Sequence, residues 1–302
     1  MSTAMIKAFD VTKDYGEGKG VFRLNFEVRQ GEVLGLVGSN GAGKTTTIRQ
    51  MMGFLIPDQG RFIIDGKDSF LQAAEIMSDV GYVPGQIDFP DVGSGKTFLK
   101  LQAELLGMKD YDYMNRLIDD FKLDIRTPLR RMSKGMKQKT ALVAAMMTKP
   151  NILILDEPST GLDPVMRDVL LGHILQAKAE GRTVFMSSHI FGELDETADR
   201  VLFLHKGKLV ESWDREEQNQ ETTSLYRIGF ENREEYLAFV KDNQKAVCYE
   251  SLEHLHLVVT WREEEISDLL DKLSKSKLRY FKYQARTIEW YYKEFVEGKE
   301  IA

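Results

Sequence analysis

The sequence predicts an α/β fold, a parallel sheet covered by helices on both sides, followed by a smaller α+β unit. Three observations lead there. First, short apolar runs such as Val33–Val37, Ile152–Leu155 and Thr183–Ser188 carry no charge along their length. Runs of that kind suit strands buried on both faces, and they alternate with segments of helical spacing, which implies a parallel sheet. Second, Val33–Val37 enters a glycine-rich loop, Gly38 to Thr46, that opens directly into a helix. Third, the composition changes near Trp213: all 7 prolines lie at or before Pro164, and the remainder reads strand, helix, strand, strand, helix, strand. That order fits a split-βαβ, ferredoxin-like unit.

In chain order, Ile6–Val11 and Phe22–Val28 alternate as strands around the polar, glycine-rich turn Lys13–Gly20, which carries one aromatic, Tyr15. Thr45–Met52 has helical spacing, Pro57–Gly60 is a turn, Arg61–Gly66 a strand and Val80–Val83 another. Residues 95–148 read as mostly helical, through Phe98, Leu101 and Leu105, then Met114, Leu117, Ile118 and Phe121. Ser133 starts the next helix and Pro150 stops it. Val165–Ala179 is a helix, Phe191–Ala198 a helix and Val201–Leu204 a strand. The stretch 214–223 is almost wholly polar and is expected to be a linker. Beyond it come strands at Leu225–Phe230, Ala246–Glu250, His254–Thr260 and Tyr280–Ala285, helices at Arg233–Lys241 and Glu264–Leu273, and a last helix, Thr287–Glu297. The expected domains are therefore 1–213 and 224–302.

The totals narrow the function. The chain has 302 residues, 42% hydrophobic and 29% charged, as in soluble globular proteins. A net charge of −6 argues against a binder dominated by neutralising nucleic-acid phosphates, and no nucleic-acid partner is expected. One cysteine, Cys248, allows no internal disulfide and suits a reducing cytoplasm. The N-terminus lacks a signal-peptide apolar core, and no apolar run approaches the ~20 residues of a membrane helix. The chain is thus not expected to be a pore itself, although it can dock on one.

The chemistry lies in two stretches. Gly38-Ser39-Asn40-Gly41-Ala42-Gly43-Lys44-Thr45-Thr46, between strand and helix, has the spacing and context of a phosphate-binding P-loop. Its glycines turn the backbone so that several N–H groups point inward, and the helix N-terminus adds partial positive charge. Lys44 is placed to reach the β- and γ-phosphates of a nucleotide, and the Thr45 hydroxyl to ligate Mg²⁺. Asp156 and Glu157 then end a buried strand. In P-loop proteins an acidic residue there holds the Mg²⁺ bridging the phosphates, a role assigned to Asp156. Glu157 points to where an attacking water sits and is the expected general base.

Further motifs in order make the chain resemble the nucleotide-binding subunit of an ABC transporter over residues 5–212. Met132-Ser133-Lys134-Gly135-Met136-Lys137-Gln138 resembles the family signature, usually Leu-Ser-Gly-Gly-Gln, with Ser133 and Gly135 retained. Ser159–Asp163 resembles the loop that contacts the opposite subunit, and His189 the switch histidine that reaches the γ-phosphate. Tyr15 sits where the family stacks an aromatic on adenine. The resemblance implies a P-loop ATPase core with an antiparallel β subdomain and a helical arm at about 88–135. It further implies ATP and Mg²⁺ as cofactors, and catalysis by a head-to-tail dimer. ATP is then sandwiched between Lys44 of one chain and Ser133, Gly135 and Asp163 of a second copy or a paired homologue.

Two departures stand out. Lys134 and Met136 replace the usual Gly and Gln; Lys134 either faces a phosphate or is a solvated side chain. The glutamine expected after Gly81-Tyr82-Val83-Pro84 is displaced: Gly85 holds its place and Gln86 follows, and Gln86 is assigned to Mg²⁺ with the loop absorbing the offset. Gly93-Ser94-Gly95-Lys96-Thr97 imitates a second P-loop, but Pro90 stands where its first glycine is required, so it is read as a helix entry. His254 and His256 are read as strand residues, and Trp261, Trp290, Tyr291 and Tyr292 as packing the small domain.

The resemblance implies separate integral-membrane permease subunits, received near Phe89–Phe98, and a place on the cytoplasmic face of the cell membrane. Within the family the chain is most similar to exporter subunits of the multidrug, antibiotic or peptide kind. The alternatives are an ATPase gating a sensory or immunity complex and a non-transport ABC ATPase.

Overall fold

The computed structural model describes residues 3–220 and 222–293, in two units, Met1–Trp213 and Asp214–Ala302. In the first, the alternating N-terminal segments pair as antiparallel strands β1 (Ala4–Asp14) and β2 (Gly20–Arg29). Next come β3 (Val33–Val37), α1 (Lys44–Met51), β4 (Gln59–Ile64), β5 (Lys67–Asp68), α2 (Ala73–Asp79) and β6 (Val80–Val83). The arm contributes α3 (Gly95–Leu105) and α4 (Asp112–Asp120), and α5 (Lys134–Met146) follows. The unit closes with β7 (Ile152–Asp156), α6 (Pro164–Ala179), β8 (Thr183–Ser188), α7 (Phe191–Thr197) and β9 (Arg200–His205). The first unit also holds most of β10 (Lys208–Asp214).

Two sheets result. One is antiparallel, ordered β2-β1-β4-β5; the other runs β10-β9-β3-β8-β7-β6, with β9, β3, β8, β7 and β6 parallel. Every residue of β3, β7 and β8 is buried, as their uncharged runs lead one to expect, and Asp156 at the end of β7 is buried with them. Ile48 and Met51 of α1 share a core with Ile6, Val28 and Phe62 of the antiparallel sheet and with Leu36, Ile154 and Phe185 of the parallel one. Burying each such side chain contributes about 1.5–3 kcal/mol. Helix α1 is therefore fixed between two sheets, and its N-terminus with it. Ser94 caps α3 by accepting from the Thr97 N–H, so the P-loop imitation at 93–97 is a helix entry.

The second unit opens with α8 (Arg215–Gln220) and continues β11 (Thr223–Phe230), α9 (Arg233–Asp242), β12 (Val247–Ser251), β13 (His256–Arg262), α10 (Ile266–Leu273), β14 (Leu278–Gln284) and α11 (Ile288–Tyr291). Its sheet is ordered β12-β13-β11-β14 with every neighbour antiparallel. That is the ferredoxin-like arrangement expected of βαββαβ.

Several local expectations need correction. The stretch 214–223, expected as a linker, holds a helix at Arg215–Gln220: β10 runs into Asp214, whose Oδ1 accepts from the N–H groups of Glu216 at 2.9 Å and Glu217 at 3.4 Å. Polarity there reflects a capped, charged helix rather than an unstructured chain. The sequence reading overlooked β5, α2 and β10, whose short or charged segments carry little periodicity. His254 lies in the turn before β13, not on the strand, with its Nδ1 3.1 Å from Ser251 Oγ. The last helix expected at Thr287–Glu297 is described only to residue 293. Trp290 and Tyr292 are buried, and Trp290 packs on Leu225 and Val258.

Candidate active site

The loop after β3 turns into α1 through Gly43, whose φ of 113° favours glycine. A Cβ there would stand 2.5 Å from Val21 Cγ1, so no side chain fits. Lys44 opens the helix, only 5% exposed, and its ammonium donates to the carbonyls of Gly38 at 2.8 Å and Ser39 at 3.4 Å. The loop thus wraps its own lysine. The Gly207 N–H, in the turn between β9 and β10, donates to Ala42 O at 3.0 Å and fixes the loop from outside. Ser39, Asn40, Gly41 and Thr45 are exposed, Gly43 and Thr46 half-buried, and Gly38 and Ala42 buried. Tyr15 is exposed in the β1–β2 turn, whose exit, Gly20 and Val21, lies against Gly43.

Asp156 ends β7 fully buried. Its Oδ1 accepts from Ser187 Oγ at 2.6 Å, and its Oδ2 has no hydrogen-bond partner among the described residues. A buried, half-satisfied carboxylate is costly unless a cation completes it. Burial, and after it the charge of Asp156, push the phenol of Tyr82 up to about 12. Gly85 lies close by: a Cβ on it would come 2.9 Å from Asp156 Oδ2. The glycine in the glutamine position therefore leaves room beside that oxygen, while Gln86 is exposed.

Glu157 follows with φ 48°, a left-handed conformation that costs of order 1–3 kcal/mol for a non-glycine residue. Its N–H donates to both Ser187 Oγ at 3.0 Å and Ser187 O at 3.2 Å. Its carboxylate bridges two groups: Oε1 lies 3.4 Å from Lys44 Nζ, and Oε2 lies 2.9 Å from Nδ1 of the half-exposed His189. Lys44, at the start of α1 after β3, Asp156 and Glu157, at the end of β7, and His189, just after β8, are thus gathered beyond the C-terminal ends of three neighbouring strands. Ser187, missed in the sequence, ties two of them together. Its signal was a hydroxyl inside an otherwise buried strand, since such a group needs a partner.

The signature residues gather elsewhere. Ser133 caps α5 by accepting from the Met136 N–H at 3.3 Å. Gly135 abuts the loop 159–163: a Cβ on it would stand 2.6 Å from Gly161 O. Gln138 Nε2 donates to Pro158 O at 2.7 Å, joining α5 to the same loop. The Lys134 stem runs over Gly161, and Lys134, Lys137 and Gln86 line a cavity of about 340 Å³. Asp163 caps α6, its Oδ1 accepting from the Met166 N–H at 3.0 Å. Among the described residues no hydrogen bond or ion pair links Ser133, Gly135 or Asp163 to the loop 38–46.

A glycine loop on a helix N-terminus, a buried strand-end aspartate and an adjacent glutamate define a P-loop nucleotide hydrolase. The ABC transporter family model matches residues 21–160. The bacitracin transport ATP-binding protein of Bacillus licheniformis is 37% identical over 217 residues, 70% of each chain. A solved ATP-binding subunit of an ABC transporter aligns with TM-score 0.65 and 28% identity over 70% of this chain and 91% of that one. A dimeric bacterial ABC transporter cassette, at 19% identity, shares the fold with TM-score 0.63 over 70% and 98%. The chain belongs to the ATP-binding subunits of ABC transporters, and it is an ATPase. No helix among the described residues is long and apolar enough to cross a membrane.

Proposed function

We propose that this subunit drives export of a multidrug, antibiotic or peptide cargo through separate integral-membrane permease subunits, at the cytoplasmic face of the membrane. The observation that carries the reading is the bridge of Glu157 between Lys44 and His189, beside a buried Asp156 with one oxygen unpaired.

ATP binds with its phosphates on the loop Gly38–Thr46, and Tyr15 stacks on the base. Lys44 then exchanges Glu157 and the loop carbonyls for the β- and γ-phosphates, which frees the Glu157 carboxylate to take a proton from water. His189 orients that exchange from the γ-phosphate side. Thr45, Asp156 and Gln86 would hold Mg²⁺, which would supply positive charge to offset that of the phosphates. The unpaired Oδ2 of Asp156 supports the fit.

Ser133, Gly135 and Asp163 of a second ATPase subunit complete the site, because in this chain they stand on α5 and its neighbouring loop without a link to the loop 38–46. ATP favours the closed dimer by differential affinity, and hydrolysis reopens it. The permease helices dock in the groove lined by Tyr82, Phe89, Phe98 and Ala145, next to Gly85. The 37% identity to a bacitracin transport ATP-binding protein supports a cargo of that class.

The test is purification of the subunit from membranes. Copurification of integral-membrane partners, with ATPase activity stimulated by peptide antibiotics, supports the reading; a soluble complex with ribosomes, DNA or a signalling protein refutes it.

A further inference from the structure

The loop that displays His189 is closed by a buried carboxylate. Consecutive residues of a strand point to opposite faces, and the last two of β8 use that. Ser187 donates to Asp156, while Ser188 donates to Glu193 Oε2 at 2.8 Å on the other side. The Ser188 hydroxyl also accepts from the Ile190 N–H at 3.0 Å. Glu193 lies in α7 and is 1% exposed; its carbonyl accepts from Thr197 Oγ1 at 2.7 Å. Its Oε1 has no hydrogen-bond partner among the described residues.

A carboxylate hidden from water and given one hydroxyl donor is an expensive way to fill space; a leucine would cost less. What the carboxylate adds is a bond between the strand end and the helix, spanning the segment 188–193. His189 is the residue that segment displays, and its ring stands 2.9 Å from Glu157.

We propose that Glu193 is a positioning residue for His189. Through Ser188 it closes the turn from β8 into α7 and holds the imidazole against Glu157. The proposal rests on the role given to His189 above. The end of β8 then sets both halves of the hydrolytic site: Ser187 holds the acidic pair, and Ser188 with Glu193 holds the switch.

The full chain is tested as Glu193→Ala, Glu193→Gln and Ser188→Ala. Two readouts are steady-state ATP hydrolysis and the ring resonances of histidine-labelled protein. Only 5 histidines are present, so a His189→Gln variant assigns the relevant signal. In Glu193→Ala, kcat should fall roughly 10- to 100-fold, as for a misplaced catalytic group. KM for ATP should change less than about two-fold, because the phosphate loop is untouched. The His189 signal alone should shift or broaden. Glu193→Gln keeps an oxygen for Ser188 and should restore both readouts, while Ser188→Ala should reproduce the loss.

An unchanged His189 signal in Glu193→Ala or Ser188→Ala overturns the proposal. So does a joint loss of kcat, KM and all histidine signals that glutamine does not rescue. A wild-type chain without ATPase activity would instead refute the reading of the site, and the His189 resonance would still decide the clamp.

Discussion

Glu157→Gln separates two consequences of one carboxylate. Oε1 stands 3.4 Å from the Lys44 ammonium, a pair whose Coulomb attraction has a ceiling of about 5 kcal/mol at an effective dielectric of about 20. Lys44 also has two carbonyl acceptors, and the Glu157 side chain is 24% exposed, so the net loss is nearer 1–2 kcal/mol. ATP must displace that contact. Removing the charge should therefore tighten ATP binding by about 5–30-fold. It also removes the proton acceptor, which should lower kcat by ~10²–10⁴-fold. The variant should accumulate as an ATP-bound dimer. Equilibrium binding of a fluorescent ATP analogue, single-turnover hydrolysis and size-exclusion chromatography with ATP read the three effects. Turnover near wild type would refute the general-base assignment. Unchanged ATP affinity would refute the competition between Glu157 and phosphate for Lys44.

Other substitutions test other contacts. Gly85→Ala puts a Cβ 2.9 Å from Asp156 Oδ2 and should raise the Mg²⁺ concentration for half-maximal activity several-fold; an unchanged Mg²⁺ dependence would remove that oxygen from the metal site. Gly135→Ala drives a Cβ to 2.6 Å from Gly161 O, so overpacking should cost about 1–3 kcal/mol of stability, read in urea unfolding. His173, in α6, stands 3.2 Å from Asp120; burial holds its imidazole below the ordinary 6.5, against the opposing pull of that carboxylate. The unfolded chain binds the proton more readily, so stability is lost as pH falls through 6.5, until the folded imidazole is itself protonated. Between about pH 7.5 and about pH 5.5, the Tm of the wild type should therefore drop more than that of His173→Gln. Equal drops would clear His173 of that role.

The fold class and the strands β3, β7 and β8 were legible because a doubly buried strand leaves a run without charge. The phosphate loop was legible because its function depends on consecutive backbone N–H groups, and so on local spacing. The signature and switch motifs were likewise contiguous and could be read as a family resemblance. Helix α8 was hidden because a capped charged helix and a polar linker share a composition, and only the Asp214 contacts distinguish them.

Spacing along the chain singled out Lys44, Asp156 and Glu157 as candidates for the chemistry, and the family resemblance added His189. What only the tertiary structure decided was how they are held. Ser187 finds Asp156 across 31 residues, and Glu157 meets His189 across 32. Gly85 leaves its space beside Asp156, and Gly135 meets Gly161 backbone to backbone. These are contacts between strand ends and loops distant in sequence. They depend on the register of neighbouring parallel strands, which no single segment encodes.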